Sequence, residues 1–563
     1  MKIRGLLSTI FLVFWVAIFA QNSVLNYSKA QTFYLDEIPL AKADMYLCDK
    51  LEIYFNFPSN HQLVKKSSRT SPAAKHITYL HYIDGQKVLY SGVKVHIKRN
   101  NSVVIQSYLT SLPVIDFQTN YDCLLPLKHG LISVIKSADN STDRPQFIYR
   151  NGDGVEVYRE DQGRYFKKDT IVHGTVFQVN PINSANTVYG GAYTDQSDSN
   201  TTVLENELVW VSIPAKFEDD TFYLESDAMR FKSLSFPNEL SDYQQVSDTF
   251  DFNRYDDEFE AFNAFYHINT FASYVKQLGH NGMIDVVSVD VHGQGGSDQS
   301  TYFPHNHSIH FGDGGVDDAE DGEVIVHEYT HSLSEMASPE TNSGTNRESI
   351  DEGLCDYFCK SYSRTYNDNN PNKVFTWDGW NEFWDGAEIN TNKYYPADLK
   401  NQLYGDRDLW SSLLMCFHDK LGRETADSLI FEHMYYLLPD MKMHDLADEL
   451  IKIDSADFNG RYYLDLLGCM EPAGFRKYGV SVPTVKQSSF IQVKNSLAFM
   501  QGDGNLKIEL NKYSSWSIID VTGKVMLSNE GKLLELEPND FIKGVYILNV
   551  RVGNDIISFK ILR

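Results

Sequence analysis

A chain of 563 residues, 42% hydrophobic and 13% aromatic, is long and apolar enough for three or four packed domains, which excludes wholesale disorder. Its formal net charge of −26 argues against nucleic acid and against anionic membrane surfaces as partners. Six cysteines, Cys48, Cys123, Cys355, Cys359, Cys416 and Cys469, are too few and too scattered for a disulfide-built fold.

Lys2 and Arg4 precede an apolar run from Ile10 to Phe19, with the small residue Ala20 after it. This reads as a secretory signal peptide over 1–20. A membrane anchor is the alternative, but the run is short of the ~20 residues a span needs. Residues 21–165 lack catalytic features. Within them, Ile77 to Val104 alternates in period two and turns at Asp84-Gly85 and Asn100-Asn101, which predicts a β-meander. From Gly174 to Asp251 the chain is again β-like. His305-Asn306-His307-Ser308-Ile309-His310 has strand spacing and is expected to form a cleft-edge strand that pairs with substrate backbone, rather than a second metal cluster.

Asp313, Asp317, Asp318, Glu320, Asp321 and Glu323 crowd together next. Such oxygen ligands suit Ca²⁺, and calcium stays open as a cofactor. Complementing a helix dipole accounts for the last three. The most informative stretch follows, His327-Glu328-Tyr329-Thr330-His331, with Val324, Ile325 and Val326 before it. On a helix, residues four apart share a face, so both imidazoles can reach one Zn²⁺. Glu328 points about 100° away and is placed to act as a base on water.

Glu352 lies 25 residues after His327, enough for one helix, a loop and a return. Its segment is helical in pattern, with Ile350, Leu354, Tyr357 and Phe358 apolar. His327, His331 and Glu352 together leave a fourth zinc position open, the catalytic arrangement. Asp356, one turn on, is placed to accept the free N–H of a ligating histidine. Cys355 and Cys359 share that helix and are expected in core packing. Further helices are marked by Trp410, Leu413, Leu414, Phe417 and Leu421, by Ala426, Leu429, Ile430, Met434 and Leu437, and by Met443, Leu446, Leu450 and Ile451. Residues 486–563 alternate through Leu506, Ile508 and Leu510 and through Tyr546, Leu548, Val550 and Val552, with a hairpin at Gly553-Asn554-Asp555. They are expected to form a small β-sandwich.

The sequence HEYTH followed by IDEGLCDYF resembles the thermolysin-like metallopeptidases, in particular fungalysin and its bacterial relatives, which carry HExxH and then E-G-x-x-D. FGDGGVDDAEDGEVIVHEYTH and DFNRYDDEFEAFNAFYHINTFASYVKQLG are similar to the segments that precede the active site there, and the similarity runs from about Asp251 to Asp454. HITYLHYIDGQKVLYSGVKVHIKRNNSVV resembles the propeptide module of such enzymes; an ordinary α+β accessory domain is the alternative. Gly544 to Val550, ending in Phe559-Lys560-Ile561-Leu562, resembles the C-terminal sorting domain of the type IX secretion pathway, with a carbohydrate- or protein-binding sandwich as the alternative.

The resemblance implies an α+β multidomain chain: signal peptide 1–20, α+β propeptide 21–165, zinc metallopeptidase domain 166–485 with a β-rich and a helical lobe, and a sorting β-sandwich 486–563. It implies a secreted or cell-surface zinc endopeptidase. Protein or peptide substrates, the export machinery, and the chain's own propeptide as inhibitor would be its partners. His327, His331 and Glu352 would bind zinc, Glu328 would act as base then acid, and Asp356 would support a ligand. The family's H-x-x-G-E-hydrophobic-W segment matches Tyr404-Gly405-Asp406-Arg407-Asp408-Leu409-Trp410, so Tyr404 replaces a histidine that resembles an oxyanion donor. A hydroxyl can donate in its place; packing against the helix is the alternative. A non-catalytic zinc-containing surface binding protein derived from the fold is the rival class, although Glu328 and every ligand are present.

Overall fold

The computed structural model describes side chains over residues 60–109 and 167–475 with short interruptions, a few isolated positions elsewhere, and the strand backbones of the remaining segments. The expected signal peptide lies outside the described residues. The chain is α+β. It divides into two compact units, Met1–Lys393 with Leu399–Leu446, and Tyr394–Asp398 with Ala447–Arg563.

The first unit opens with an antiparallel sheet in the order Gln31–Leu35, Val103–Ser107, Gln86–Lys98, Ala74–Ile83, His61–Thr70. The meander turns at Gly85 as the sequence expects, at φ +78°, a conformation glycine adopts without a Cβ penalty; the turn expected at Asn100-Asn101 lies outside the described residues. Ile77, Tyr79, Val93, Val95, Ile97, Val103 and Ile105 fill one face as its core. Period-two alternation puts His76, Lys94 and His96 on the other face, and these are buried as well. That face meets the helical region of the same unit. The Lys94 ammonium donates to Ser338 Oγ at 2.5 Å and to the carbonyls of Tyr435 and Leu437 at 2.8 and 2.9 Å. His76 stacks on Tyr435 and His96 on Tyr436, with ring centroids 3.9 and 4.0 Å apart. A second antiparallel meander runs through Cys123–Leu127, Gly130–Asp139, Gln146–Arg150 and Glu156–Asp161.

The β-rich segment forms two sheets. One has the order Gln244–Gln245, Thr221–Tyr223, Leu208–Glu218, Lys168–Phe177, Thr249–Phe250; the other Met229–Phe231, Val287–Asp290, Ser308–His310, Thr301–Phe303. The expectation for residues 305–310 needs correction. Ser308–His310 is an inner strand, pairing parallel with Val287–Asp290 and antiparallel with Thr301–Phe303, and its residues are buried. The edge is Thr301–Phe303, and residues 304–307 are the turn between them. Short-range alternation did not reveal that hairpin because His307 adopts φ +52°, a turn conformation unusual for a non-glycine residue.

Helix Glu258–Gln277 is buried along most of its length, as the run of Phe259, Phe262, Phe265, Ile268 and Phe271 demands. Helices Gly322–Ala337, Thr345–Ser363, Leu403–Leu421 and Arg423–Met434 follow. Phe271, Phe358 and Phe431 join three of these elements through ring contacts. The helix Met443–Asp457 begins in the first unit and ends in the second. The second unit holds Tyr463–Met470 and a five-stranded sheet ordered Ala498–Phe499, Asp555–Leu562, Val545–Val552, Leu506–Asp520, Val525–Leu536. Val552 pairs with Asp555, as the expected hairpin requires. Among the described residues the tail supplies this one sheet.

Candidate metal centre and cleft

Helix Gly322–Ala337 carries the HEYTH motif, and Asp321 caps it by accepting from the Glu323 N–H at 2.9 Å. One turn apart on one face, the His327 and His331 rings lie 5.0 Å between centroids. Helix Thr345–Ser363 runs antiparallel beside it: His327 meets Asp356, while His331, further along, meets the earlier Asp351. Glu352 therefore falls between the two rings. Its Oε2 lies 3.5 Å from His327 Nε2 and its Oε1 3.6 Å from His331 Nε2. Tetrahedral zinc with bonds of about 2.0–2.2 Å separates its ligand atoms by roughly 3.3–3.6 Å. Glu352 stands at that distance from each imidazole Nε2, through one oxygen to each.

The outward nitrogens are engaged too. His331 Nδ1 contacts Asp351 Oδ2 at 2.7 Å, and His327 Nδ1 lies 3.2 Å from Asp356 Oδ1, close enough for an ionic contact but not aligned as a hydrogen bond. A carboxylate beside each Nδ1, hydrogen-bonded at His331, favours the proton there and would leave each Nε2 to a metal. Asp351 is itself held by Ser334 Oγ at 2.5 Å and by Arg347 at 2.8 Å. Burial opposes its ionisation, but Arg347 and His331 outweigh it and keep the carboxyl well below the usual range. Asp356 faces Arg407 Nε at 3.3 Å, and Arg407 also lies 3.9 Å from Glu352. Burial again resists, yet His327, His331 and Arg407 hold Glu352 ionised.

Cys355 Sγ lies within 4.8 Å of the two histidines and forms an alternative donor set with them. Burial and the carboxylates around it push that thiol well above its ordinary value. Glu352 places an oxygen 3.5 Å and 3.6 Å from the two Nε2 atoms, which makes it the third donor that the ring geometry favours. Cys359 is a buried free thiol pushed up to about 12, which agrees with core packing. Gly353 lets helix Leu403–Leu421 approach: a Cβ there would sit 2.7 Å from the Arg407 carbonyl and 3.0 Å from Trp410 Cβ. The small residue after Glu352 thus brings Arg407 to the site.

These groups line a cavity of about 800 Å³. Glu328 reaches it with a buried Oε2 that has no hydrogen-bond partner, and burial raises its carboxyl pKa against the opposing histidines. Tyr302, on the true edge strand, and Tyr404 and Arg407 line it as well. Tyr404 stands at the rim, 65% exposed, with its ring 5.5 Å from the Arg407 guanidinium. Burial and Glu352 raise its phenol, so it is a proton donor at neutral pH.

Five of the six crowded carboxylates turn to separate partners. Glu320 pairs with buried Arg254 at 2.8 Å, Glu323 with Lys360 at 3.6 Å and Asp313 with His292 at 3.1 Å. Asp321 is the cap, and Asp318 turns towards Asp298 and Asp378. Residues the sequence reading passed over are Asp351, Arg347, Ser334 and Tyr302. The signal for Asp351 was present: a second histidine ligand needs its own acceptor, and an acid adjoins Glu352. No protein-family model and no curated protein sequence matches this chain.

Proposed function

We propose that the chain is a secreted zinc-dependent endopeptidase of the thermolysin-like, fungalysin type. The observation that carries this is the convergence of His327 Nε2, His331 Nε2 and the Glu352 carboxylate at ligand spacing, on the wall of a cavity into which Glu328 projects. A bound Zn²⁺ supplies Lewis acidity and makes water a nucleophile at neutral pH. The protein's own residues do the rest. Glu328, poised by burial, takes a proton from the attacking water and returns it to the leaving amine. Asp351 and Asp356 hold the two imidazoles in the tautomer that faces inward. Tyr404 or Arg407 donates to the developing oxyanion, and the edge strand Thr301–Phe303 offers backbone groups to an extended peptide.

In the same reading, residues 21–165 are the propeptide, 166–485 the catalytic domain, and 486–563 the module read by the export machinery. The buried docking of Lys94, His76 and His96 fits a pro-region that supports folding of the helical lobe. Among the described residues, none of 60–109 lines the cavity. The test is peptide or casein cleavage with metal analysis. Glu328→Ala is expected to retain zinc and lose turnover by several orders of magnitude; undiminished cleavage would sink the assignment.

A further inference from the structure

The same cavity has a second chemical feature. Asp298 precedes the edge strand, Asp318 sits in the turn Asp318–Glu320 before the motif helix, and Asp378 comes from a loop beyond the second helix. Each offers a carboxylate oxygen within 4.8 Å of the other two, and all three line the cavity shared with Glu328 and His331. Neighbouring buried acids have counter-cations: Glu320 has Arg254, Glu323 has Lys360, Asp351 has Arg347 and Asp356 has Arg407. No lysine or arginine among the described residues forms an ion pair with the triad. Independently, Asp378, 3% exposed, has a buried Oδ1 with no hydrogen-bond partner. A buried polar atom left so destabilises the fold, more if charged, unless a ligand arrives to meet it.

The surroundings select that ligand. Phe375, Phe383, Trp384 and Val324 line the cavity beside the acids and provide an apolar wall. Asp378 Oδ2 already accepts from Trp384 Nε1 at 3.2 Å, and Asp318 Oδ2 accepts from Ser300 Oγ and from the Gly312 N–H. Few oxygens remain free, whereas Ca²⁺ takes six to eight. A long aliphatic stem with a cationic head uses both the wall and the acids. We propose that Asp298, Asp318 and Asp378 form a specificity subsite that receives a lysine or arginine side chain of the peptide substrate. This rests on the peptidase reading and names its substrate class. Burial raises the Asp318 carboxyl to about 8 and Asp378 well above its usual range, and an entering cation opposes that shift.

The experiment uses the full, zinc-loaded chain carrying Glu328→Gln, which can bind without turnover. Fluorescent octapeptides of one Ala/Gly sequence carry a single Lys, Arg, norleucine or Glu at each position in turn, and anisotropy gives Kd. At one position Lys or Arg is expected to bind at least tenfold tighter than norleucine, with Glu weakest. Adding Asp378→Asn or Asp298→Asn should erase that advantage while norleucine peptides bind as before, which also shows that the variants fold. Equal affinity for Lys and norleucine at every position overturns the subsite. So does stoichiometric Tb³⁺ or Ca²⁺ binding that Asp378→Asn abolishes, which would make the triad a metal site. Turnover of any peptide by the wild-type chain tests the peptidase reading separately, because the binding contrast does not depend on catalysis.

Discussion

Asp351→Ala is the sharpest probe of the metal centre's support. The side chain touches no substrate; it accepts from His331 Nδ1 at 2.7 Å, and also from Ser334 and Arg347. Removing the acceptor frees the imidazole to rotate and to place its proton on the nitrogen that faces Glu352. Loss of such a partner typically lowers metal affinity 10- to 100-fold, or about 1.4–2.7 kcal/mol. Arg347, 1% exposed, would also lose its carboxylate. Breaking a buried pair from one side costs about 3–5 kcal/mol. Zinc affinity is therefore measured by chelator competition at a temperature where circular dichroism shows the variant folded. Asp351→Asn is the second variant: its single oxygen can serve His331 or Arg347 but not both, so its affinity should lie between the other two. Zinc binding within twofold of wild type in folded Asp351→Ala would refute the supporting role.

Three further outcomes follow from the same geometry. Gly353→Ala should lower stability by roughly 1–3 kcal/mol through overpacking against the Arg407 carbonyl, read as a lower Tm, with reduced kcat because Glu352 moves with it; an unchanged Tm would contradict the close approach. Tyr404→Phe should lower kcat with little change in KM if the phenol donates, by up to about 10²–10³-fold; unchanged kinetics would pass the role to Arg407. The docked N-terminal sheet should loosen in acid. Burial holds His76 and His96 well below their ordinary value, helped by Lys94 and Lys98 and, for His76, by His96, with Glu432 lying 3.4 Å from His76; His280 on the facing region is lowered to about 4 by burial. Free of the interface they protonate near 6.5, so stability is retained above that pH and falls below it, towards pH 4, by about 1.4 kcal/mol per unit for each histidine. Hydrogen-exchange protection across 61–107, corrected for the intrinsic pH dependence of exchange, should fall between pH 6.5 and 5; pH-independent protection would contradict this.

The candidate site was legible because its information is local. Two histidines four apart and an acid on the next helix leave few ways to pack, and antiparallel helices bring Glu352 between the rings. Asp356 was readable for the same reason. Asp351 was missed because attention to one turn of helix overlooked the neighbour that faces the second histidine. The helix Glu258–Gln277 was read from a resemblance to the segment preceding the active site in thermolysin-like enzymes, whereas the meander followed from its periodicity. The buried polar face of the first sheet did not: alternation of Lys94 and His96 with Val93 and Val95 reads as half-solvated until the facing helices are known. The partners of the acidic run before HEYTH were not legible for a related reason. Its members point to partners as distant in sequence as Arg254, Lys360 and Asp378, and proximity along the chain carries no information about such directions.

The central claim is that zinc held by His327, His331 and Glu352 drives peptide hydrolysis. Its most direct test is to strip the purified chain with a chelator and titrate Zn²⁺ back while measuring cleavage of an unstructured protein. The account predicts no activity in the stripped protein and a linear recovery that saturates at one zinc per chain. Cleavage that survives stripping, or no cleavage at full zinc occupancy in protein freed of its N-terminal region, would contradict it.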